Sequence, residues 1–120
     1  MPINWIKEGE KDILYVDLSG ISDQVILIGK SELAFEEVSK SPHEKTLILL
    51  DFTNTSLGPD FMAIGKERVA EILAEKNVKT AMIGITGLKR VLFKGYQTFT
   101  SSKAVLFDLK EQALDYLSQD

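Results

Sequence analysis

Thr46-Leu47-Ile48-Leu49-Leu50-Asp51-Phe52 is a near-continuous apolar run with no polar alternation. A strand of that kind is buried on both faces, and such strands sit inside parallel sheets with helices packed on them. Parallel neighbours need a crossover between them, usually a helix. This one run therefore points the chain to the α/β class, and the rest of the sequence reads against that frame.

Ile13-Leu14-Tyr15-Val16-Asp17-Leu18 is short, β-branched and apolar, ends at Ser19-Gly20, and reads as a second buried strand. Ile3 to Lys7 alternates and reads as an edge strand, joined to it by a hairpin through Lys7 to Asp12 with Gly9. Between these strands and the Thr46 run, Ser22 to Lys40 is expected to be one long helix. Ser22 is its expected cap, and Ile21 with Ile26 forms a hydrophobic staple. Val25-Ile26-Leu27-Ile28-Gly29 taken alone passes equally for a strand; the required crossover favours helix. Ser41-Pro42-His43-Glu44 makes the turn that follows.

After the Thr46 run comes a polar loop, Thr53 to Asp60, and a helix with Phe61, Gly65, Val69, Ile72 and Leu73 on one stripe, stopped at Asn77. Thr80 to Ile85 is another buried strand. Thr86-Gly87 then opens a helix with Leu88, Val91, Leu92, Tyr96 and Phe99 on one face. Ala104 to Phe107 is a short last strand. Asp108-Leu109-Lys110-Glu111 is a capping box for a final helix whose core face is Ala113, Leu114 and Leu117. The expected order is β-β-α-β-α-β-α-β-α. It makes a mostly parallel five-stranded sheet with one antiparallel strand, in a single domain over residues 1–120.

Composition narrows the function. The net charge of −4 argues against broad nucleic-acid binding, which needs a basic footprint. Without cysteine there is no thiolate nucleophile and no disulfide framework, which suits a reducing compartment. No apolar run reaches the roughly 18 residues of a membrane span, and Met1 to Trp5 shows no signal-peptide pattern. A cytoplasmic location is the expectation. No metal or cofactor is expected: His43 is the sole histidine, so a two-histidine metal site is impossible. It also belongs to a turn on the opposite side from the strand-end loops, where a catalytic triad would need it.

In an open α/β sheet, ligand sites gather beyond the carboxyl ends of the strands. Three loops leave such ends, the third being the Phe107-Asp108 turn, and the Ser19-Gly20 end of the second strand is a candidate to join them; two of the loops carry polar chemistry. Thr53, Asn54, Thr55 and Ser56 supply three hydroxyls and an amide for a ligand or partner, though the same groups serve as caps and loop ties. Thr86 and Gly87 open a helix whose free amides, with Lys89 and Arg90, suit an anion. Neither a G-x-G-x-x-G nor a Walker A pattern occurs. Asp17 and Asp51 lie near strand ends, where a carboxylate pair either does acid–base work or holds loop amides; nothing around them resembles an activated nucleophile. Phe93 and Ile64 fall off the apolar stripes of their helices and are candidate contacts if they prove close together.

The run Leu47 to Asp51, the hydroxyl-rich loop, the stretch Ala81-Met82-Ile83-Gly84-Ile85-Thr86-Gly87-Leu88 and the ending Phe107 to Leu114 resemble the STAS domain superfamily. The likeness is greatest to its SpoIIAA-like, STAS/SEC14-type branch of small bacterial proteins, and it runs from Ile13 to Leu117. The resemblance implies a non-enzymatic regulatory module that binds a partner protein, as anti-sigma-factor antagonists do. In those a serine at the start of the second helix is phosphorylated, which breaks or alters the complex. Other relatives bind nucleotides or apolar ligands, so a small apolar or anionic ligand is the alternative. The antagonist pattern reads Asp-Ser-Ser-Gly-Leu-Gly, whereas this chain has Thr55-Ser56-Leu57-Gly58-Pro59-Asp60. Ser56 is the nearest match to the phosphoacceptor and Thr55 the second, and the preceding aspartate is missing.

Overall fold

The computed structural model describes residues 3–87, 89–91 and 104–119. The Thr46 run forms the middle of the sheet, as strand β3 (Lys45–Asp51). Around it lie β1 (Ile3–Glu8), β2 (Lys11–Asp17), β4 (Asn77–Ile83) and β5 (Val105–Phe107), in the spatial order β1-β2-β3-β4-β5. Only the β1–β2 pair is antiparallel. Its two-residue loop places Gly9 at φ +62, the first central position of a hairpin turn that suits glycine.

Two helices, α1 (Gln24–Ser39) and α2 (Pro59–Glu75), make the β2–β3 and β3–β4 crossovers. A third, α3 (Lys110–Ser118), follows β5. Between β4 and β5, residues 89–91 are helical, where the third helix of the expected order begins. The fold class is therefore the expected one, α/β with a mostly parallel five-stranded sheet. Expected core residues Leu88, Leu92, Tyr96 and Phe99 lie outside the described residues, as does Phe93. Val91, expected on the buried face, is exposed.

Successive crossovers of one hand in one direction put their helices on one face of the sheet, and the buried side chains divide accordingly. Leu14, Val16, Ile48 and Met82 pack against Leu27, Ala34 and Val38 of α1, with Phe61 and Ile72 of α2 at the margin. Ile13, Leu47, Leu49, Ala81 and Ile83 face the other way, onto Ala113 and Leu117 of α3. The period-2 pleat explains the near-continuous apolar run: Ile48 goes to one core and Leu49 to the other. Each fully buried leucine, such as Leu14, Leu27, Leu49 and Leu117, contributes about 1.5–3 kcal/mol by leaving water.

Four boundaries differ from expectation for local reasons. The Ser22–Lys40 segment is a helix throughout from Gln24, but Asp23 caps it: its carboxylate accepts from the amides of Val25 and Ile26 at 2.9 and 3.3 Å. With the cap one residue later than Ser22, Ile21 and Ile26 are mis-spaced for a staple, and Ile21 is buried while Ile26 is exposed. Helix α2 ends at Glu75, and Asn77 is already strand, paired with Lys45. Strand β4 accordingly starts before Thr80 and stops at Ile83, because Gly84 turns to φ +84. At α3 the cap is Leu109, not Asp108; leucine has no acceptor, so only half of a capping box forms, the Gln112 side chain accepting from the Leu109 amide at 3.1 Å.

Candidate functional site

Strands β2 and β3 end in the same way. Asp17 Oδ1 accepts from the amide and hydroxyl of Ser19 at 3.0 and 2.6 Å. Asp51 Oδ1 accepts from the amide and hydroxyl of Thr53 at 2.9 and 2.6 Å. The fourth residue of each turn has positive φ: Gly20 at +71 and Asn54 at +55, the two residue types that tolerate it best. Asp17 and Asp51 are register partners across the parallel pair. The turns are laced together by the Leu18 amide donating to Asp51 O at 2.9 Å and the Gly20 amide to Thr53 O at 2.8 Å. The carboxylate pair is thus occupied in holding backbone, with one further contact: the Tyr15 hydroxyl reaches Asp51 Oδ2 at 3.4 Å. Burial, then the negative charges of Asp51 and Asp17, push the Tyr15 phenol up to about 12. The Lys110 ammonium lies 4.2 Å from the centre of its ring.

The hydroxyl loop divides into structural and presented groups. Thr55 is buried and donates to Leu18 O. Ser56 is exposed, with its amide on Ile21 O at 3.0 Å. Gln24, the first residue of α1, clamps the loop from the side. Its Nε2 donates to Ser56 O, and its Oε1 accepts from the Gly58 amide, each at 2.8 Å. The clamp explains Gly58: a Cβ there would stand 2.7 Å from Gln24 Oε1. Gly58 also caps α2, with Pro59 in its first turn, so Ser56 precedes the helix rather than sitting in it.

The second candidate segment comes to the same rim. Thr86 and Gly87 are exposed, and Gly87 O accepts from the Arg90 amide at 3.1 Å, closing the first turn. The Lys89 ammonium donates to Phe52 O at 3.3 Å, which ties it to the end of β3. Arg90 Nε is buried without an acceptor, alone in this among the side-chain polar atoms of the described residues. The close approach of β4 to β3 is fixed by Gly84, where a Cβ would meet Thr53 N at 2.2 Å.

His43 lies elsewhere. Its Nε2 is 3.7 Å from Asp12 Oδ2 and its ring centre 5.2 Å from that of Trp5. Asp12 is the second residue of β2 and Asp17 its last, so the imidazole is about 17 Å along the strand from the carboxylates. Among the described residues, no group of three or more histidine, aspartate or glutamate side chains is placed to hold a metal ion. None of their helices is long and apolar enough to cross a membrane.

Sequence reading missed two contributors, Gln24 and Tyr15, whereas the Ser19-Gly20 strand end joins the rim as it suggested. A signal for Ser19 was present, because Asp17-Leu18-Ser19-Gly20 and Asp51-Phe52-Thr53-Asn54 are the same Asp-x-Ser/Thr-Gly/Asn turn written twice. Gln24 and Tyr15 act across the fold and leave no local signal. Beneath the rim, α1, α2 and the sheet enclose an apolar cleft of about 90 Å³, lined by Leu18, Phe52, Phe61, Met62, Met82 and Ile85 among others. Its one hydroxyl, on Ser31, is turned to Leu27 O at 2.8 Å.

No protein-family model, no curated protein and no solved structure matches the chain. The architecture itself decides the comparison of fold. Five strands in the order β1-β2-β3-β4-β5, with the first antiparallel and α1 and α2 filling the β2–β3 and β3–β4 crossovers, are now in place. This matches the STAS/SpoIIAA-like fold pattern. In STAS-like terms, the rim carries the Ser56 loop ahead of the second helix, and its carboxylates are loop ties rather than free acids and bases.

Proposed function

We propose that this chain is a non-enzymatic regulatory module that binds a protein partner in the cytoplasm. Its interface is the Thr53–Ser56 loop, the start of α2 and the first turn of α1. The observation that carries the reading is the exposed apolar pair beside the loop: Val25 is 81% exposed and Ile26 49%. Both follow Gln24, whose side chain grips the Ser56 loop. Apolar anchors next to a polar segment are the makings of a partner contact. Ser56 is the accessible hydroxyl at its centre, and a phosphate on it would add close to two negative charges, about −1.5 to −2 at neutral pH. Lys89 and Arg90 are the nearby counter-charges, and the exposed Thr86-Gly87 turn extends the same anion-friendly stretch.

Affinity capture on immobilised chain tests this, comparing the native sequence with Val25→Glu, Ile26→Glu and Ser56→Asp. A partner held by the native chain, lost with either glutamate and weakened by Ser56→Asp, is the expected result. Identical partner sets from all four baits, or none from any, would refute the reading.

The apolar cleft favours one alternative, a carrier or sensor of a small uncharged apolar ligand. Native mass spectrometry of the purified chain decides that point. A chain that always emerges empty, and whose melting temperature ignores apolar compounds, excludes it.

A further inference from the structure

Helices α1 and α2 leave a groove between their outer surfaces, remote from the rim loop. It encloses about 520 Å³, with Phe35 and Ile72 among its lining residues. Leu33, on its α1 side, is 57% exposed. Four carboxylates line it, those of Glu32, Glu36, Glu71 and Glu75, against two cations, Arg68 and Lys76. The Arg68 guanidinium is shared by two of the acids, donating to Glu32 at 2.7 and 3.0 Å and to Glu71 at 3.1 Å. The Lys76 ammonium is turned away to Ser41 O, at 3.0 Å. Glu36 pairs with the exposed Lys40, at 2.9 Å, a contact that solvent screens. The groove therefore sets Leu33, Phe35 and Ile72 beside the Arg68–Glu32 ion pair that links its two walls, among lining residues with more carboxylates than cations.

We infer that this groove docks a basic amphipathic helix of a partner protein. Its long direction runs from Glu32 to Ser39, about 11 Å along α1, so two to three turns of an incoming helix fit it. Leucine-like residues at i, i+3 and i+7 would lie on Phe35, Leu33 and Ile72, the helix-in-groove mode. Lysines or arginines on the flanks would meet Glu36, Glu71 and Glu75. The same charge repels an acidic helix, nucleic acid or an anionic membrane. The inference adds a second surface to the protein-binding reading and does not depend on the rim.

The test uses a fluorescent synthetic peptide of about 18 residues, some 27 Å of helix, with leucine on one face and lysine on the other. A glutamate-for-lysine version is the control. Anisotropy titrations are run against the full chain and against Glu71→Lys/Glu75→Lys, Leu33→Asp, and Glu111→Lys/Asp115→Lys on the opposite face of the sheet. Circular dichroism checks that each variant is folded. The lysine peptide is expected to bind the native chain and the α3 variant alike, and the glutamate peptide to bind neither. Both groove variants should weaken binding by about tenfold. Val25→Glu at the rim should leave it unchanged, which separates failure of this inference from failure of the rim interface. No binding of the lysine peptide, or equal weakening by the α3 reversal, overturns the assignment.

Discussion

Replacing Gly84 by alanine isolates the contact that sets the spacing of β3 and β4 at the rim. Two costs arise there. The backbone sits at φ +84, where an L side chain is disfavoured by about 1–2 kcal/mol. The new Cβ would also lie 2.2 Å from Thr53 N and 2.6 Å from Phe52 C, against the 3.4 Å at which ordinary contact begins. Both neighbours are backbone, so no side chain can swing aside. Relief requires the strand ends to part by about 1 Å, which stretches the bond from the Phe52 amide to Ile83 O, now 2.9 Å. Losing that bond costs about 1 kcal/mol, and the overlap that remains about 1–2 kcal/mol more. The total is about 3–5 kcal/mol, a large share of the ~5–15 kcal/mol typical of a folded domain.

Gly87 provides the internal control. It too has positive φ, +58, but a Cβ there meets nothing within 4 Å. Gly87→Ala should therefore show the backbone cost alone, about 1–2 kcal/mol. Urea denaturation followed by circular dichroism reads both, with an unchanged slope showing that the same surface is exposed on unfolding. In thermal melts the difference is about 4 °C per kcal/mol for a chain of this size. If the two substitutions cost the same, the close approach of Gly84 to the β3 end plays no part and the account of the rim fails.

Two further outcomes follow from the side-chain contacts. The Tyr15 phenol keeps its proton to about 12 in the folded chain, but only to about 10 when unfolded. Between those values the folded state binds more protons, so stability falls as pH rises from 10 to 12; Tyr15→Phe should remove that part of the fall in urea midpoints measured across the range, and an identical profile for the variant would contradict it. The Lys79 ammonium donates to Tyr116 O at 2.6 Å and Gln119 O at 3.1 Å, and lies 4.3 Å from the centre of the Tyr116 ring, closing the carboxyl end of α3. Lys79→Met should cost about 1–2 kcal/mol and raise amide exchange in α3 before the rest of the sheet; uniform exchange would show that α3 does not lean on it.

What the sequence made legible is what short-range physics decides. Alternation of two apolar faces along Thr46 to Phe52 identifies the central strand, because Leu47, Ile48, Leu49, Leu50 and Phe52 each pack into one core or the other. The helix over Gln24–Ser39 needed an argument from connection, since its apolar residues surround the axis: Leu27 is buried while Val25 and Ile26 face water. No periodicity can distinguish such a segment from a strand. Boundaries failed where one residue had two roles. Asn77 reads as a helix stop but pairs with Lys45, and Asp108 reads as a cap but yields that position to Leu109. The position of Ser56 on the rim was readable. The clamp that holds its loop was not, because Gln24 lies 32 residues away in sequence.

The twin turns decide how the rim can work. A carboxylate oxygen that accepts from an amide and a hydroxyl at its own strand end ties the loop to that strand. Asp17 and Asp51 are both engaged in this way. Thr55 is spent on Leu18 O, and Lys89 on Phe52 O. Beyond these groups the rim exposes Asn54, Ser56 and Thr86 as polar residues, with Val25 and Ile26 as its apolar ones. The rim thus joins polar groups held by internal hydrogen bonds to the exposed hydroxyls of Ser56 and Thr86 and the exposed aliphatic side chains of Val25 and Ile26. The hydrogen bonds that hold the loops are the same ones that occupy the Asp17 and Asp51 carboxylates, and the binding role proposed for the rim rests on that loop geometry.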